Sequence, residues 1–245
     1  MDYRTYSMGF KENMQCVLVG ILVSGVIAWL FYRSGFGMLL CPFLCVWYRN
    51  RYRKERIQKQ KETLLQEFKD GMQAVSAALL AGYSMENAWK EAEKELLKLH
   101  GENSLMYAEV HQMNAAVRMN EPLEKMLADF ARRSACEEIE SFSEVFVFAK
   151  RSGGDFAKII RTTVTKLVGR IEVEREIATV LAGKKMEGKI MNVMPIFILA
   201  YLTLTSGDFL DVLYGNLLGV IIMSTALGVY ALALHMSDRI LDIKV

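Results

Sequence analysis

Four long stretches without a charged residue constrain the fold of this chain more than any other feature of its sequence. They are Asn13 to Tyr32, Ser34 to Tyr48, Ile190 to Ser206 and Val212 to Leu234, with 20, 15, 17 and 23 residues. A helix of about 20 apolar residues crosses the ~30 Å hydrocarbon core of a bilayer. The first and last stretches therefore predict full membrane spans. The third is long enough to span, and the second is short.

A strongly basic segment follows the second apolar stretch. Residues 49–61, with the sequence RNRYRKERIQKQK, hold seven Lys or Arg and one Glu, a local charge of +6. Basic residues next to a span stay on the cytoplasmic side of the membrane. The chain from residue 49 onward is therefore predicted to be cytoplasmic, and the acidic segment GDFLD between the last two stretches is predicted to be translocated. The residues that set this orientation are Arg49, Arg51, Arg53, Lys54 and Arg56.

The two N-terminal stretches predict a helical hairpin rather than one long helix. A continuous helix from Val17 to Tyr48 would be about 48 Å long. It would place Arg33 near the middle of the bilayer, at a cost of roughly 2.5–3.5 kcal/mol. A turn at RSGFG puts Arg33 at the far interface instead. The first stretch ends in bulky residues and is expected to be retained rather than cleaved as a signal peptide, so both termini are expected to be cytoplasmic.

Between the membrane stretches, apolar residues recur at helical spacing and no alternating strand pattern is found. We predict an all-α, polytopic membrane protein with a cytoplasmic antiparallel bundle of about six helices. The predicted domains are an N-terminal membrane hairpin at 1–48, the bundle at 49–189, a C-terminal membrane hairpin at 190–235 and a cytoplasmic tail at 236–245.

Local signals predict where these helices begin and end. Ser84 is expected to cap the second helix of the bundle, and Gly101 to end it. Pro122 is expected in the first turn of the fourth helix, where its missing N–H costs nothing, with Asn120 or Glu121 as the cap.

Two adjacent glycines, Gly153 and Gly154, predict a hinge between the fifth and sixth helices. Glycine readily takes the left-handed conformation that ends a helix. Asp155 is expected to cap the sixth helix, which is predicted to continue into the membrane. Its apolar stripe consists of Phe156, Ile160, Val164, Leu167 and Ile171.

The motifs that suggest chemistry have simpler interpretations. Gly183, Gly188 and Lys189 have the spacing of a phosphate-binding loop, but Ile190 stands where a Ser or Thr is needed for magnesium. The histidines are scattered, and no catalytic constellation is found. We expect no enzyme activity, cofactor, metal or nucleic-acid partner. Cys41 and Cys45 share a helix face, so a metal or lipidation site is conceivable there, but small apolar packing residues are the favoured interpretation.

A face of the fifth helix carries Glu137, Glu140 and Glu144 at helical spacing. A bound cation is one interpretation, and a solvated or partner-facing acidic stripe is the favoured one. Arg132 and Arg133 join these three as candidate partner-facing residues. Pro195 lies in the third apolar stretch and predicts a kink, with a local hydrogen bond at Asn192.

Three segments together resemble the type II secretion system F family. They are FKDGMQAVSAALLAGYSMENAWKEA, NEPLEKMLADFARRSACEEIESFSEVFVFAKRSGGDFAKII and VEREIATVLAGKKMEGKIMNVMPIFI. The Gly-Tyr-Ser turn, Arg132 or Arg133, Gly153-Gly154, Arg161 or Arg170, and Pro195 stand where the family carries its turn glycine, arginine, glycine pair, helix arginine and membrane proline. A single helical domain between membrane segments is most similar to the tight-adherence (Flp) pilus platform proteins, TadB and TadC. Asn120-Glu121 departs from the family, which often has a glycine before Pro-Leu.

The resemblance implies a non-enzymatic platform in the bacterial cytoplasmic (inner) membrane that couples a hexameric assembly ATPase to pilin extraction and assembly. It implies as partners that ATPase, a paralogous platform protein and prepilin or pilin subunits, in an oligomeric assembly. Membrane lipids are a further expected partner, because basic residues near an anionic surface each contribute about 1 kcal/mol of attraction. The alternative is a membrane sensor or transporter accessory subunit with a helical domain that binds a ligand or partner.

Overall fold

Helices make up the regular structure of this protein. The computed structural model describes residues 2–5, 8–32, 41–152, 155–205 and 217–241. Within these ranges the regular structure is all-helical, which confirms the all-α part of the predicted fold class. The α-helices are α1 (Phe10–Ile27), α2 (Cys41–Leu80), α3 (Met85–His100), α4 (Leu105–Arg118), α5 (Leu123–Ser134), α6 (Glu137–Ser152), α7 (Phe156–Thr205) and α8 (Leu217–Leu241), and α1 continues as a π-helical segment, Ala28–Tyr32.

Packing divides the chain into two units. The bundle unit contains Lys54–Arg175 and residues 2–5, and the span unit contains residues 8–53 and the chain from Glu176 onward. The boundaries fall inside α2 and inside α7. The boundaries predicted from the sequence, 48/49 and 189/190, were based on charge and hydropathy. The boundaries between the two units are based on packing, and they lie at Arg53/Lys54 and Arg175/Glu176.

Aromatic rings in the core of the bundle unit come from α2, α3, α5, α6 and α7. Phe68 on α2 packs edge-on against Phe142 on α6, with ring centroids 5.6 Å apart. Trp89 on α3 packs edge-on against Phe146 at 6.4 Å, and Phe146 meets Phe156 at 5.5 Å. Such edge-to-face pairs contribute about 0.5–1.5 kcal/mol beyond the area that they bury.

The apolar stripe expected from the sequence on α7 faces this core, and so does an apolar stripe on α2. On α7 the side chains of Ile160, Val164, Leu167 and Ile171 are buried, and Phe156 packs against them while partly exposed. On α2 the buried members are Leu64, Phe68, Met72, Val75, Ala78 and Leu79. Apart from the adjacent pair Ala78 and Leu79, these residues recur every three or four positions, which keeps them on one side of each helix.

Two helices, α2 and α4, end in a Schellman motif around a residue of positive φ. After α2, Gly82 has φ +85°; its N–H donates to Leu79, and the N–H of Tyr83 donates to Ala78, both at 3.1 Å. After α4, Asn120 has φ +65° and its N–H donates to the Val117 carbonyl. These are the paired bonds of a Schellman motif, which satisfies the last carbonyls of a helix.

The start of α5 differs from the prediction. Pro122 is itself the N-cap, in an extended conformation with φ −70° and ψ 130°, and the helix begins at Leu123. Pro122 was expected one position further in, with Asn120 or Glu121 as the cap. Both of these residues instead end α4, since the N–H of Glu121 donates to the carbonyl of Ala116 at 3.0 Å.

A buried carboxylate holds the start of α4. Ser104 is its N-cap and accepts from the N–H of Tyr107. One oxygen of Glu67, which lies on α2 and is buried, accepts from the Ser104 hydroxyl at 3.0 Å and from the N–H of Met106 at 2.9 Å. This contact fixes α4 to α2 and satisfies donors that the first turn of a helix leaves unpaired.

The other predicted caps lie at the expected places. Ser84 occupies the N-cap position of α3 without a side-chain hydrogen bond, and Gly101 ends that helix with φ +75°. The Asp155 carboxylate accepts from the N–H of Lys158 at 3.1 Å, which confirms the predicted cap of α7.

Three helices in the described part of the chain are long and apolar enough to cross a membrane, Phe10–Phe31, Phe156–Thr205 and Leu218–Ser237. The span unit includes the part of each helix that lies outside Lys54–Arg175. A cluster of buried side chains joins the three, with Leu30 and Phe31 against Met223, and partly buried Ile196 and Leu199 beside them. The second apolar stretch, residues 34–48, is described only from Cys41, where α2 begins.

α1 and the start of α2 approach closely. A methyl group on Gly20 would lie 2.5 Å from the Cys45 Sγ and 3.2 Å from its Cα. The Cys45 thiol also lies 3.9 Å from the carbonyl oxygen of Val17. Small residues at such positions let the backbones of membrane helices come close together.

Candidate functional site

α6 presents the acidic face expected from the sequence. Its buried residues Ile139, Phe142, Phe146 and Ala149 recur every three or four positions, which turns the opposite face outward. Glu140 and Glu144 are exposed on that face. One turn further along, Phe148 has 68% of its surface exposed. The exposed part of α6 therefore combines two carboxylates with one large apolar side chain, and we call these three residues the α6 face.

Glu137, the third member of the predicted stripe, has a partner inside the bundle unit. Its carboxylate lies 3.5 Å from the guanidinium of Arg170 on α7, which also lies 3.6 Å from Glu138 and 3.2 Å from Glu174. The hydrogen bond to Glu174 and the charges of Glu137 and Glu138 raise the pKa of Arg170. Arg170 thus links α6 to α7 while 49% of its side chain stays exposed. Arg161 is exposed as well.

The two adjacent arginines at the end of α5 have different surroundings. Arg132 keeps 73% of its side chain exposed and pairs with Asp129 at 2.5 Å. Arg133 keeps 24% exposed and donates to both oxygens of Glu109, at 2.8 and 2.7 Å, and to Asp129 at 2.8 Å. Hydrogen bonding to Glu109 raises the pKa of Arg133, and the two arginines hold the pKa of Asp129 below its usual range. Of the two, Arg132 is the more accessible to solvent or a partner.

Tyr3 belongs to the same network, and sequence reasoning missed it. Its side chain is 1% exposed, and its hydroxyl donates to Glu109 at 3.0 Å. Burial and the neighbouring Glu109 charge raise the pKa of this phenol, which keeps it protonated and able to donate. A tyrosine in a short polar segment has no periodic pattern, and its partner stands 106 positions away, so the sequence offers no signal for this contact.

The basic residues predicted to set orientation lie on α2. Arg49, Arg53, Lys54 and Arg56 are exposed. The guanidinium carbon of Arg51 lies 5.4 Å from the centre of the Trp47 ring, a distance typical of a cation–π contact. Tryptophan next to arginine is common where a helix leaves the hydrocarbon for the headgroup layer. The chemistry of this stretch suits anionic headgroups.

Hydrogen bonds join α7 to α8 near Pro195, and α7 remains helical on both sides of that proline. The amide of Asn192 donates to the Ser237 hydroxyl at 3.0 Å, and the Tyr230 hydroxyl donates to the carbonyl of Asn192. Because proline has no N–H, the Met191 carbonyl lacks its helical donor. The Tyr230 hydroxyl thus donates to the carbonyl of the next residue, Asn192.

Several predicted features lie outside the described residues. They are the hinge at Gly153 and Gly154, the turn at RSGFG, the loop GDFLD and the last four residues of the tail. On either side of the glycine pair, α6 ends at Ser152 and the Asp155 cap opens α7.

Among the described residues, no group of three or more His, Cys, Asp or Glu is placed to hold a metal ion. His111 lies 2.5 Å from Glu93, and His100 lies 2.9 Å from Asp70. Each of these two histidines thus has a carboxylate partner within the bundle unit, as part of a hydrogen-bonded contact between helices.

Among the described residues, the α6 face, the ion pairs of Arg133 and the basic part of α2 are candidate features for recognition. Comparison with protein-family models, with curated proteins and with solved structures gives no match.

Proposed function

We propose that this protein is a non-enzymatic membrane platform of a tight-adherence pilus, a type IV pilus or a type II secretion-like machine. It couples a cytoplasmic assembly ATPase to the extraction of pilin from the membrane. One observation carries the proposal: the two long helices that bound the bundle unit in sequence, α2 and α7, also supply residues to the span unit. Each of these helices runs without interruption from one unit into the other, so we assign to them the coupling between a partner of the bundle and the membrane segments.

The proposal places the bundle unit in the cytoplasm of a bacterium and the span unit in the inner membrane. The +6 charge of residues 49–61 supports this orientation, since basic flanks stay inside. The Trp47–Arg51 pair supports a position of this part of α2 near the headgroups. Anionic lipids would then add to the attachment.

The α6 face is the proposed contact for the ATPase. Glu140 and Glu144 lie exposed and one turn apart, and Phe148 continues the same line. An exposed phenylalanine beside two carboxylates fits a partner surface with an apolar pocket flanked by Lys or Arg. Glu137 contributes less to this face because it pairs with Arg170.

The proposed contact must form and release during each ATPase cycle, which suits a micromolar affinity of about −8 kcal/mol. The test is to measure binding of the full-length protein in detergent to the assembly ATPase encoded in the same gene cluster. In Glu140→Lys with Glu144→Lys, we expect the affinity to fall at least tenfold, because two attractive charges become repulsive.

A matched control reverses two glutamates at the same spacing on another helix. Glu91 and Glu95 on α3 are each 43% exposed, so Glu91→Lys with Glu95→Lys makes the same change in net charge. Exposed charges contribute little to stability, so both double variants are expected to fold. Equal loss of binding in the two double variants would show that net charge, and not the α6 face, determines the affinity. Absence of binding by the wild-type protein would contradict the platform proposal.

A further inference from the structure

The N-terminal segment docks on the bundle unit at a site with several independent contacts. The ring of Tyr3 packs edge-on against Phe130, with centroids 6.4 Å apart, and its hydroxyl donates to Glu109. Its N–H donates to the Arg133 carbonyl at 3.1 Å. The guanidinium of Arg4 donates to the carbonyl of Arg132 at 2.7 Å.

The acceptor for the Tyr3 hydroxyl is held by another residue of the bundle unit. Glu109 is buried, and both its oxygens are held by Arg133, which leaves a fixed acceptor at the end of an apolar slot. A tyrosine suits such a slot because its ring is apolar and its hydroxyl needs one partner. Since ordering a four-residue segment costs conformational entropy, burial of the tyrosine ring is the contact able to offset it.

The segment is joined to a candidate membrane span. The span Phe10–Phe31 begins five residues after Thr5. Gly20 lies near the middle of this span and is the residue that contacts Cys45 on α2.

We infer that residues 2–5 form a latch that holds the N-terminus on the bundle unit, so that the chain crosses the membrane twice between Thr5 and Lys54. The inference rests on the proposed membrane location. A folded, hydrated unit lies on one side of a bilayer, so two segments docked within it are separated by an even number of crossings. With α1 as one crossing, the chain that includes the start of α2 supplies the other.

The first experiment tests the crossings in sealed membrane vesicles, using the full-length chain with its native cysteines replaced by alanine. Flotation of the vesicles shows first whether the protein is in the membrane at all, which tests the proposed function separately. Single cysteines are then placed at Asp2, Ser34 and Lys98 and labelled with a membrane-impermeant maleimide. We expect positions 2 and 98 to label from one side and position 34 from the other. Labelling of position 2 from the side opposite to 98, or of position 34 from the same side, would overturn the inference.

The second experiment tests the latch by hydrogen–deuterium exchange of the N-terminal peptide. The wild-type segment is expected to exchange slowly, and Tyr3→Ala is expected to raise its exchange to the rate of an unstructured chain. Tyr83→Ala is the matched control, because Tyr83 is 51% exposed on the surface of the same unit. Equally fast exchange in the wild type and in Tyr3→Ala would show that no latch forms. This readout is independent of the membrane.

Discussion

The two terminal nitrogens of Arg133 meet the two carboxylate oxygens of Glu109, at 2.8 and 2.7 Å, in a fork that joins α5 to α4. The Glu109 side chain is 5% exposed and that of Arg133 is 24% exposed, so the pair lies largely out of water. Paired charges in this setting leave a costly unpaired charge when one partner is removed.

The first prediction compares the two adjacent arginines of α5. Arg133→Met leaves Glu109 buried without its cation, and we expect the free energy of unfolding to fall by about 3 kcal/mol. Arg132→Met removes an exposed ion pair and is expected to cost less than about 1 kcal/mol. Urea unfolding in detergent, followed by circular dichroism, measures both. Equal effects of the two substitutions would argue against a structural role for the Arg133 pair.

The second prediction compares two glycines that both have room for a methyl group but differ in backbone conformation. A methyl group at Gly82 or at Gly169 would meet no atom within 4 Å, but Gly82 has φ +85° and Gly169 is inside α7. Gly82→Ala is expected to destabilise the protein by about 1–2 kcal/mol, because only glycine takes this conformation without strain. Gly169→Ala is expected to stabilise it by about 0.5–1 kcal/mol. Thermal unfolding should therefore shift the two variants in opposite directions, and a shift in the same direction would contradict this explanation.

The third prediction concerns acid stability and depends on Glu93. Burial acts to raise the pKa of this carboxyl, but hydrogen bonds from Asn114 and His111 hold it below its ordinary value of 4.5. A depressed folded pKa contributes stability that is present above the unfolded pKa and is lost as the pH falls through the folded pKa. Between pH 7 and 3.5, Glu93→Gln should start with a lower Tm than the wild type and lose less of it below about pH 4.5.

Glu95→Gln is the control for this measurement. Glu95 lies two positions along the same helix, is 43% exposed and pairs with Lys98 at 3.2 Å. Exposed pairs of this kind contribute little to stability. A Tm profile of Glu93→Gln parallel to that of the wild type over this pH range would rule out Glu93 as a source of acid sensitivity.

The fourth prediction tests the contact between α1 and α2. Gly20→Leu would force a side chain into the space held by Cys45, and such overpacking costs about 1–3 kcal/mol. A methyl group on Gly25 would meet no atom within 4 Å, so Gly25→Leu adds the same atoms without a clash at its Cβ. We expect faster alkylation of Cys45 by N-ethylmaleimide in Gly20→Leu than in Gly25→Leu, measured by peptide mass spectrometry. Unchanged Cys45 reactivity in both variants would indicate that the two helices separate easily.

Features with a local period were predictable from the sequence, and features that depend on distant partners were not. The stripe from Ile160 to Ile171 on α7 was visible because core-facing residues repeat every three or four positions. The Asp155 cap was visible because a capping bond reaches only three residues. Neither inference required knowledge of how the helices pack.

The engagement of Glu137 by Arg170 depends on how α6 meets α7, since the two residues are 33 positions apart. The same limit applies to Tyr3, whose partner is on α4. The predicted position of Pro122 was wrong by one residue, because Asn120 and Glu121 could either end α4 or cap α5. In the structure their N–H groups bond to carbonyls of α4, so they end that helix. In each case the local sequence allows more than one arrangement, and contact with another helix determines which one forms.

The π-helical segment Ala28–Tyr32 acts as a phase shift in α1. Before it, buried residues come every fourth position, at Cys16, Gly20 and Ser24; within it, the neighbours Leu30 and Phe31 are both buried. A π turn holds one more residue than an α turn, and each residue is worth about 100° of rotation. The first part of the helix thus turns Gly20 toward Cys45, and the last part turns a different side toward Met223. Removing one residue from this turn would redirect the end of the helix without changing its hydrophobicity, so the length of the chain here encodes which neighbour it meets.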